Sequence, residues 1–152
     1  MLEIRENQEL KYDNVLSFRG KLKQTELEQI CRDMESKASG AGARKVANPI
    51  TAIFGVENDL LDTELLIPLD KPVPCMDRYV FKDKFKIVNA VEAQYKGHPA
   101  GLQGACNELN GYISNKKMQP ITVGYNVTRH MDPIHIENTE VSVYVGVSPN
   151  IL

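Results

Sequence analysis

The feature that most constrains this chain is a strand pattern that it carries twice. Thr63-Glu64-Leu65-Leu66-Ile67-Pro68-Leu69 and Thr139-Glu140-Val141-Ser142-Val143-Tyr144-Val145 both open on a Thr-Glu pair and then place an aliphatic residue at every second position. A period of two is strand geometry, so Val141, Val143 and Val145 share one face and Glu140, Ser142 and Tyr144 share the other. Two more landmarks recur in the same order, Phe18-Arg19-Gly20 with Tyr95-Lys96-Gly97 and Pro49-Ile50-Thr51 with Pro120-Ile121-Thr122. Any fold for this chain must accommodate a unit of roughly 75 residues repeated once.

A helix occupies the same slot in each copy. Leu27, Ile30, Cys31, Met34 and Ala38 recur at helical spacing, with Thr25 and Glu28 as a capping box at the start and Gly40 and Gly42 as the stop. Leu102, Cys106, Leu109 and Ile113 form the second stripe, entered through Pro99 and closed near Asn115. Extended segments are expected at residues 14–19, 49–56, 60–69, 79–81, 85–96, 120–127 and 136–147. Glu57-Asn58-Asp59 is read as a turn and residues 129–133 as a loop. Residues 1–13 show no clear period. The chain therefore reads as one domain over 1–152, with repeat one at about 10–70, a linker at 71–78 holding Pro72 and Pro74, and repeat two at about 79–148.

Charge and cysteine content exclude several classes. The 152 residues suffice for a sizeable core, and with 42% apolar and 25% charged residues a disordered chain is excluded. A net charge of −2 supplies no field for a phosphate backbone, and the Lys/Arg-rich block from residue 21 to 45 is interleaved with Glu26, Glu28, Asp33 and Glu35. Direct nucleic-acid binding is not expected, all the more because too few residues precede Val15 for a helix-turn-helix. Cys31, Cys75 and Cys106 contain no C-x-x-C pair, which argues against a disulfide framework or a zinc knuckle. No run approaches a membrane span, and the charged N-terminus is unlike a signal peptide, so no membrane and a cytoplasmic location are expected.

Motif chemistry is sparse. His130, Asp132 and His135 match no standard metal spacing and read as a surface loop. His98, a conceivable haem ligand, reads as a solvated residue before Pro99. Ser39-Gly40-Ala41-Gly42 lacks the Lys-Ser/Thr of a phosphate loop. No cofactor and no metal are expected.

A β-α-β-β unit has too little core to stand alone, so the two are expected to form an α+β fold: one curved antiparallel sheet with two helices on one face and a concave groove on the other. Leu16, Phe18, Ile50, Phe54, Leu65, Ile67, Val91, Tyr95, Val123, Tyr125, Val141 and Val143 are assigned to the helix side. Glu64, Leu66, Glu92, Gln94, Thr122, Asn126, Glu140, Ser142 and Tyr144 are assigned to the groove.

This order of elements, with its aromatic-x-Gly strand ends and Thr-Glu final strands, resembles the gyrase-inhibitor-like small-molecule-binding domain, which also serves bacterial AraC- and MerR-type regulators as an effector-binding domain. The resemblance runs from about Leu10 to Val147 and is best over Tyr95-Lys96-Gly97, Tyr125 and Glu140-Val141-Ser142-Val143. It implies that Glu140 is the groove carboxylate that meets cationic aromatic ligands, or in some members assists hydrolysis of small electrophiles, and that Tyr125 is the strand tyrosine. The chain departs from the family at Tyr144, which stands where a proline is usual, and it has no tryptophan.

The leading expectation is a standalone domain that binds a small lipophilic or cationic molecule and serves sensing or transcription regulation through a partner. Glu140, Tyr144, Ser142, Glu64, Gln94 and Tyr125 are the candidate ligand contacts. Two alternatives stay open: a small hydrolase with Glu140 as general base beside a tyrosine such as Tyr125, and a protein-interaction module without a small ligand.

Overall fold

The computed structural model describes residues 2–76 and 78–148. Asp77, inside the expected linker, and the ends Met1 and 149–152 lie outside the described residues. The elements run β1 (Leu2–Leu22), α1 (Leu27–Gly40), β2 (Ile50–Glu57), β3 (Leu60–Pro68), β4 (Tyr79–Gly97), α2 (Leu102–Asn115), β5 (Tyr125–His130) and β6 (Thr139–Gly146), with short 3₁₀ turns at Gln24–Glu26, Pro99–Gly101 and Ile136–Asn138. They form two compact units, one of residues 11–86 and one of residues 1–10 with 87–152. The expected α+β class with antiparallel strands and two helices is present.

In the unit of residues 11–86, β3 pairs antiparallel with both β1 and β2, in a register that sets Phe18 opposite Leu65 and Gly20 opposite Thr63. The β2–β3 turn places Asn58 and Asp59 at positive φ, the pairing of a tight hairpin, which Asn and Asp tolerate better than most residues. Helix α1 buries Ile30, Met34 and Ala38 on Leu16, Phe18, Leu65 and Ile67. Its start differs from the expected Thr25–Glu28 box. The chain turns in through the 3₁₀ segment, where the Lys23 N–H donates to Glu26 Oε1 at 2.8 Å.

The other unit repeats these relations. β6 pairs with both β4 and β5, Tyr95 stands opposite Val141, and Gly97 stands opposite Thr139. Helix α2 buries Ala105, Leu109 and Ile113 on Val91, Ala93, Val141, Val143 and Val145. It is entered at His98, whose Nδ1 accepts from the Ala100 N–H at 3.0 Å, so this histidine caps the helix. The aromatic-x-Gly motif has a packing reason in both units: the Phe18 ring covers Gly20 and the Tyr95 ring covers Gly97 and Gly101, each too close for a Cβ.

Three strand expectations need correction. The stretch without a clear period is the first half of the 21-residue β1. There Leu2 and Ile4 pack on the α2 core, but Glu6 takes the next position, and after Asn7 at positive φ Gln8 lines a cavity with Glu3 and Arg5, so the apolar period is broken. Glu6 is acceptable there because the Tyr112 hydroxyl donates to it. The segment at 120–127 contributes strand only from Tyr125, Pro120 making a single bridge to Val147. Finally, β6 begins at Thr139, after the 3₁₀ turn, rather than at Ile136.

Candidate functional site

Register decides which side chains meet. Directly opposed residues of an antiparallel pair point to the same side of the sheet. Glu92 is opposite Tyr144, Gln94 opposite Ser142 and Lys96 opposite Glu140, while β5 adds Tyr125 opposite Tyr144 and Val127 opposite Ser142. Since Val141, Val143 and Val145 face α2, all of these lie on the other side. Tyr125 is therefore corrected from the helix face to the Tyr144 face. Asn126, opposite Val143, moves the other way. Alternation from Tyr125 and Val127 puts Arg129 on the same side, just where the β5–β6 register shifts between Thr128 and His130.

This side carries a cavity of about 530 Å³ in the 1–10/87–152 unit, lined by residues of β1, β4, β5 and β6. Its interior holds a connected set of polar groups. Arg129 donates from Nη2 to the Tyr144 hydroxyl at 2.5 Å and from Nε to Ser142 Oγ at 3.3 Å. Glu92 stands opposite Tyr144 on the neighbouring strand and accepts from Gln94 Nε2 at 3.3 Å. Glu92 is 3% exposed and Tyr144 6%. Burial is the main cause that pushes the Tyr144 phenol above its ordinary value; Arg129 opposes this and Glu92 adds to it. Among the described residues Glu92 forms no ion pair. A buried carboxylate with an amide as its donor is short of a counter-charge.

The candidate residues divide accordingly. Glu140, Tyr144, Ser142 and Gln94 all line the cavity. Glu140 is exposed, on the same cavity wall. Glu64 lies in the other unit, buried, with its carboxylate 3.1 Å from Lys82 Nζ, and is not part of the lining. Tyr125 shares the face but is not among the lining residues.

No protein-family model matches this sequence, and no curated protein is significantly similar to it. Solved structures do match. The C-terminal domain of EcmrR superposes with a TM-score of 0.78 at 13% identity, covering 97% of each chain. EcmrR in its complex with DNA gives 0.77 at 14% identity; the match covers 97% of this chain, which spans only 57% of EcmrR there. SAV2435 bound to tetraphenylphosphonium gives 0.54 at 10% identity, covering 98% of this chain and 94% of that one. The chain has the gyrase-inhibitor-like fold.

Within the gyrase-inhibitor-like fold the resemblance pointed to Glu140 and Tyr125, and two other residues hold the interior of this cavity. Glu92 was legible as a residue of the non-helix face of β4, but nothing in the sequence shows that it is more deeply buried than Glu140. Arg129 fell in a stretch read as loop, because Thr128 and His130 on either side give no strand period. A metal centre finds no support: Asp132 Oδ1 accepts from the N–H groups of Ile134 and His135, so it closes a turn, and the described residues hold no cluster of three metal-ligating side chains. No helix of the described residues is long and apolar enough to cross a membrane.

Proposed function

We propose that the chain is a small-molecule-binding domain that works in sensing, in the cytoplasm and through a partner, and that its ligand enters the cavity above Glu92. The observation that carries this reading is the buried Glu92 carboxylate, without an ion pair among the described residues, at the floor of a cavity large enough for a drug-sized fragment. A ligand with a positive centre supplies the missing counter-charge, and Glu140 on the cavity wall adds to the attraction. The EcmrR likeness supports a regulatory setting, and SAV2435 is bound to a lipophilic cation. The duplication reading draws support from the geometry shared by the two units: Asn14 and Asn89 both have positive φ, and their carbonyls accept from Leu69 and Val147 at matching strand ends.

Calorimetric titration of the wild type, Glu92→Gln and Glu140→Gln with tetraphenylphosphonium and phenethylamine tests the reading. Glu92→Gln is expected to weaken each cation that binds by about tenfold, equivalent to about 1.4 kcal/mol. Equal affinity in wild type and Glu92→Gln sinks the role of Glu92, and equal affinity in Glu140→Gln sinks that of Glu140. If no small molecule binds, the interaction-module reading replaces this one.

One observation favours the hydrolytic alternative in altered form. A phenol stands opposite a buried carboxylate in the cavity, but the pair is Tyr144 with Glu92 rather than a tyrosine with Glu140. In that reading Glu92 takes the proton of an attacking water and Tyr144 orients it. Incubation with styrene oxide, followed for diol, checks this; no turnover above a Glu92→Gln control rejects it.

A further inference from the structure

Arg129 gives the cavity a second pole of opposite charge. Its side chain contacts Tyr144 and Ser142 through two of its five N–H donors, and its guanidinium lies 5.8 Å from the Tyr144 ring centroid. Among the described residues no carboxylate lies within ion-pair distance of it. A guanidinium with unused donors facing a cavity is a receptor for a carboxylate or a phosphate, since its planar fork matches two oxygens at once. Glu92, opposite Tyr144 in the β4–β6 register and lining the same cavity, is the receptor for an ammonium.

The two receptors flank Tyr144 in one cavity, Glu92 opposite it in register and Arg129 bonded to its hydroxyl. The ammonium and carboxylate of an α-amino acid, about 3 Å apart and each extended by one hydrogen bond of about 2.8 Å, reach two groups up to about 8 Å apart. The balance of the lining agrees: Glu3, Glu92 and Glu140 are matched by Arg5, Lys96 and Arg129. A simple cation would gain from Glu92 and be opposed by Arg129, whereas a molecule with both charges satisfies both groups.

We propose that the ligand class is a small zwitterion of the amino-acid type, its carboxylate on Arg129 and its ammonium on Glu92. This rests on the cavity being a ligand site, as argued above.

The test uses three probes with one skeleton: L-phenylalanine with both charges, phenethylamine with the cation alone, and 3-phenylpropionate with the anion alone. Affinities are measured calorimetrically on the intact chain, its Arg129→Gln variant and its Glu92→Gln variant. L-phenylalanine is expected to bind the wild type about tenfold tighter than either half-probe. Arg129→Gln should reduce it to the level of phenethylamine, and Glu92→Gln to that of 3-phenylpropionate. Because Arg129 is exposed, its replacement leaves the fold intact and carries the test even if Glu92→Gln does not fold. Phenethylamine binding the wild type as tightly as L-phenylalanine overturns the proposal, as does a zwitterion preference that survives Arg129→Gln. If cations bind through Glu92 but the preference is absent, only this inference falls; if neither the three probes nor tetraphenylphosphonium binds, the ligand site falls with it.

Discussion

Replacing Tyr144 with Phe removes one oxygen and leaves the ring in place, so the variant isolates the hydroxyl that accepts from Arg129 and stands beside Glu92. The two neighbours respond differently to its loss. Arg129 is exposed and regains water, so its 2.5 Å bond is worth little in the balance, about 0–1 kcal/mol. Glu92 is 3% exposed and cannot regain water; it keeps the 3.3 Å bond from Gln94. Taking a hydroxyl from beside a buried charge is on the scale of a hydrogen bond to a charged group, about 1.5–3 kcal/mol, and the loss falls mainly on Glu92. Tyr144→Phe should therefore cost about 2 kcal/mol. For a chain of this length that lowers Tm by roughly 4–8 °C.

The assay is urea unfolding at neutral pH in a double-mutant cycle with Glu92→Gln. In the Glu92→Gln background the hydroxyl stands beside a neutral amide, and its removal should cost about 1 kcal/mol less. A cost below about 0.5 kcal/mol for Tyr144→Phe refutes the reasoning, because a surface phenol gives that much. So does an equal cost in both backgrounds, which would mean that no buried charge depends on the hydroxyl.

Three further outcomes are expected. Leu109→Ala, at a position 1% exposed under α2, should destabilise by about 2–5 kcal/mol in the same assay, whereas Ile134→Ala at an exposed position should stay within about 0.5 kcal/mol. Stability should fall as pH rises above about 10, because the folded state holds the phenol protons of Tyr144 and Tyr79, raised chiefly by burial, and of Tyr112, raised chiefly by its bond to Glu6, more tightly than the unfolded chain does. The fall should level off above the folded values and be shallower in Tyr144→Phe; a urea midpoint unchanged through this range contradicts it. Thiol labelling should modify the exposed Cys75 first and Cys31 and Cys106 roughly an order of magnitude more slowly, since burial raises both of their thiols; equal rates at all three would show that the helix stripes are open.

Much of the local structure was legible because it depends on spacing alone. The stripes of α1 and α2 follow from side-chain period. So does the division of β6, with Val141, Val143 and Val145 on the core and Glu140, Ser142 and Tyr144 opposite, and that division placed three cavity residues on one face. The aromatic-x-Gly landmarks were visible too, although the ring lying over its own glycine appears only in three dimensions. Where polar residues occupy inward positions the period failed. Glu6 and Gln8 hid half of β1, and nothing near them in sequence announces that Tyr112, more than a hundred residues away, hydrogen-bonds to Glu6.

Which carboxylate lies deepest in the cavity is decided by the tertiary structure. Glu92 and Glu140 are both strand glutamates beside aliphatic neighbours, and sequence pattern ranks neither above the other. Register with Tyr144 buries Glu92, while Glu140, four residue pairs nearer the strand end, stays in water. Likewise Arg129 has the sequence context of a loop, and it is the continuation of β5 through His130 that sets it, after Tyr125 and Val127, on the side of Ser142 and Tyr144. Periodicity reports the face on which a side chain lies, because that is a property of the local backbone. Depth and partners depend on which strand comes to lie alongside, and that is settled only when the chain is folded.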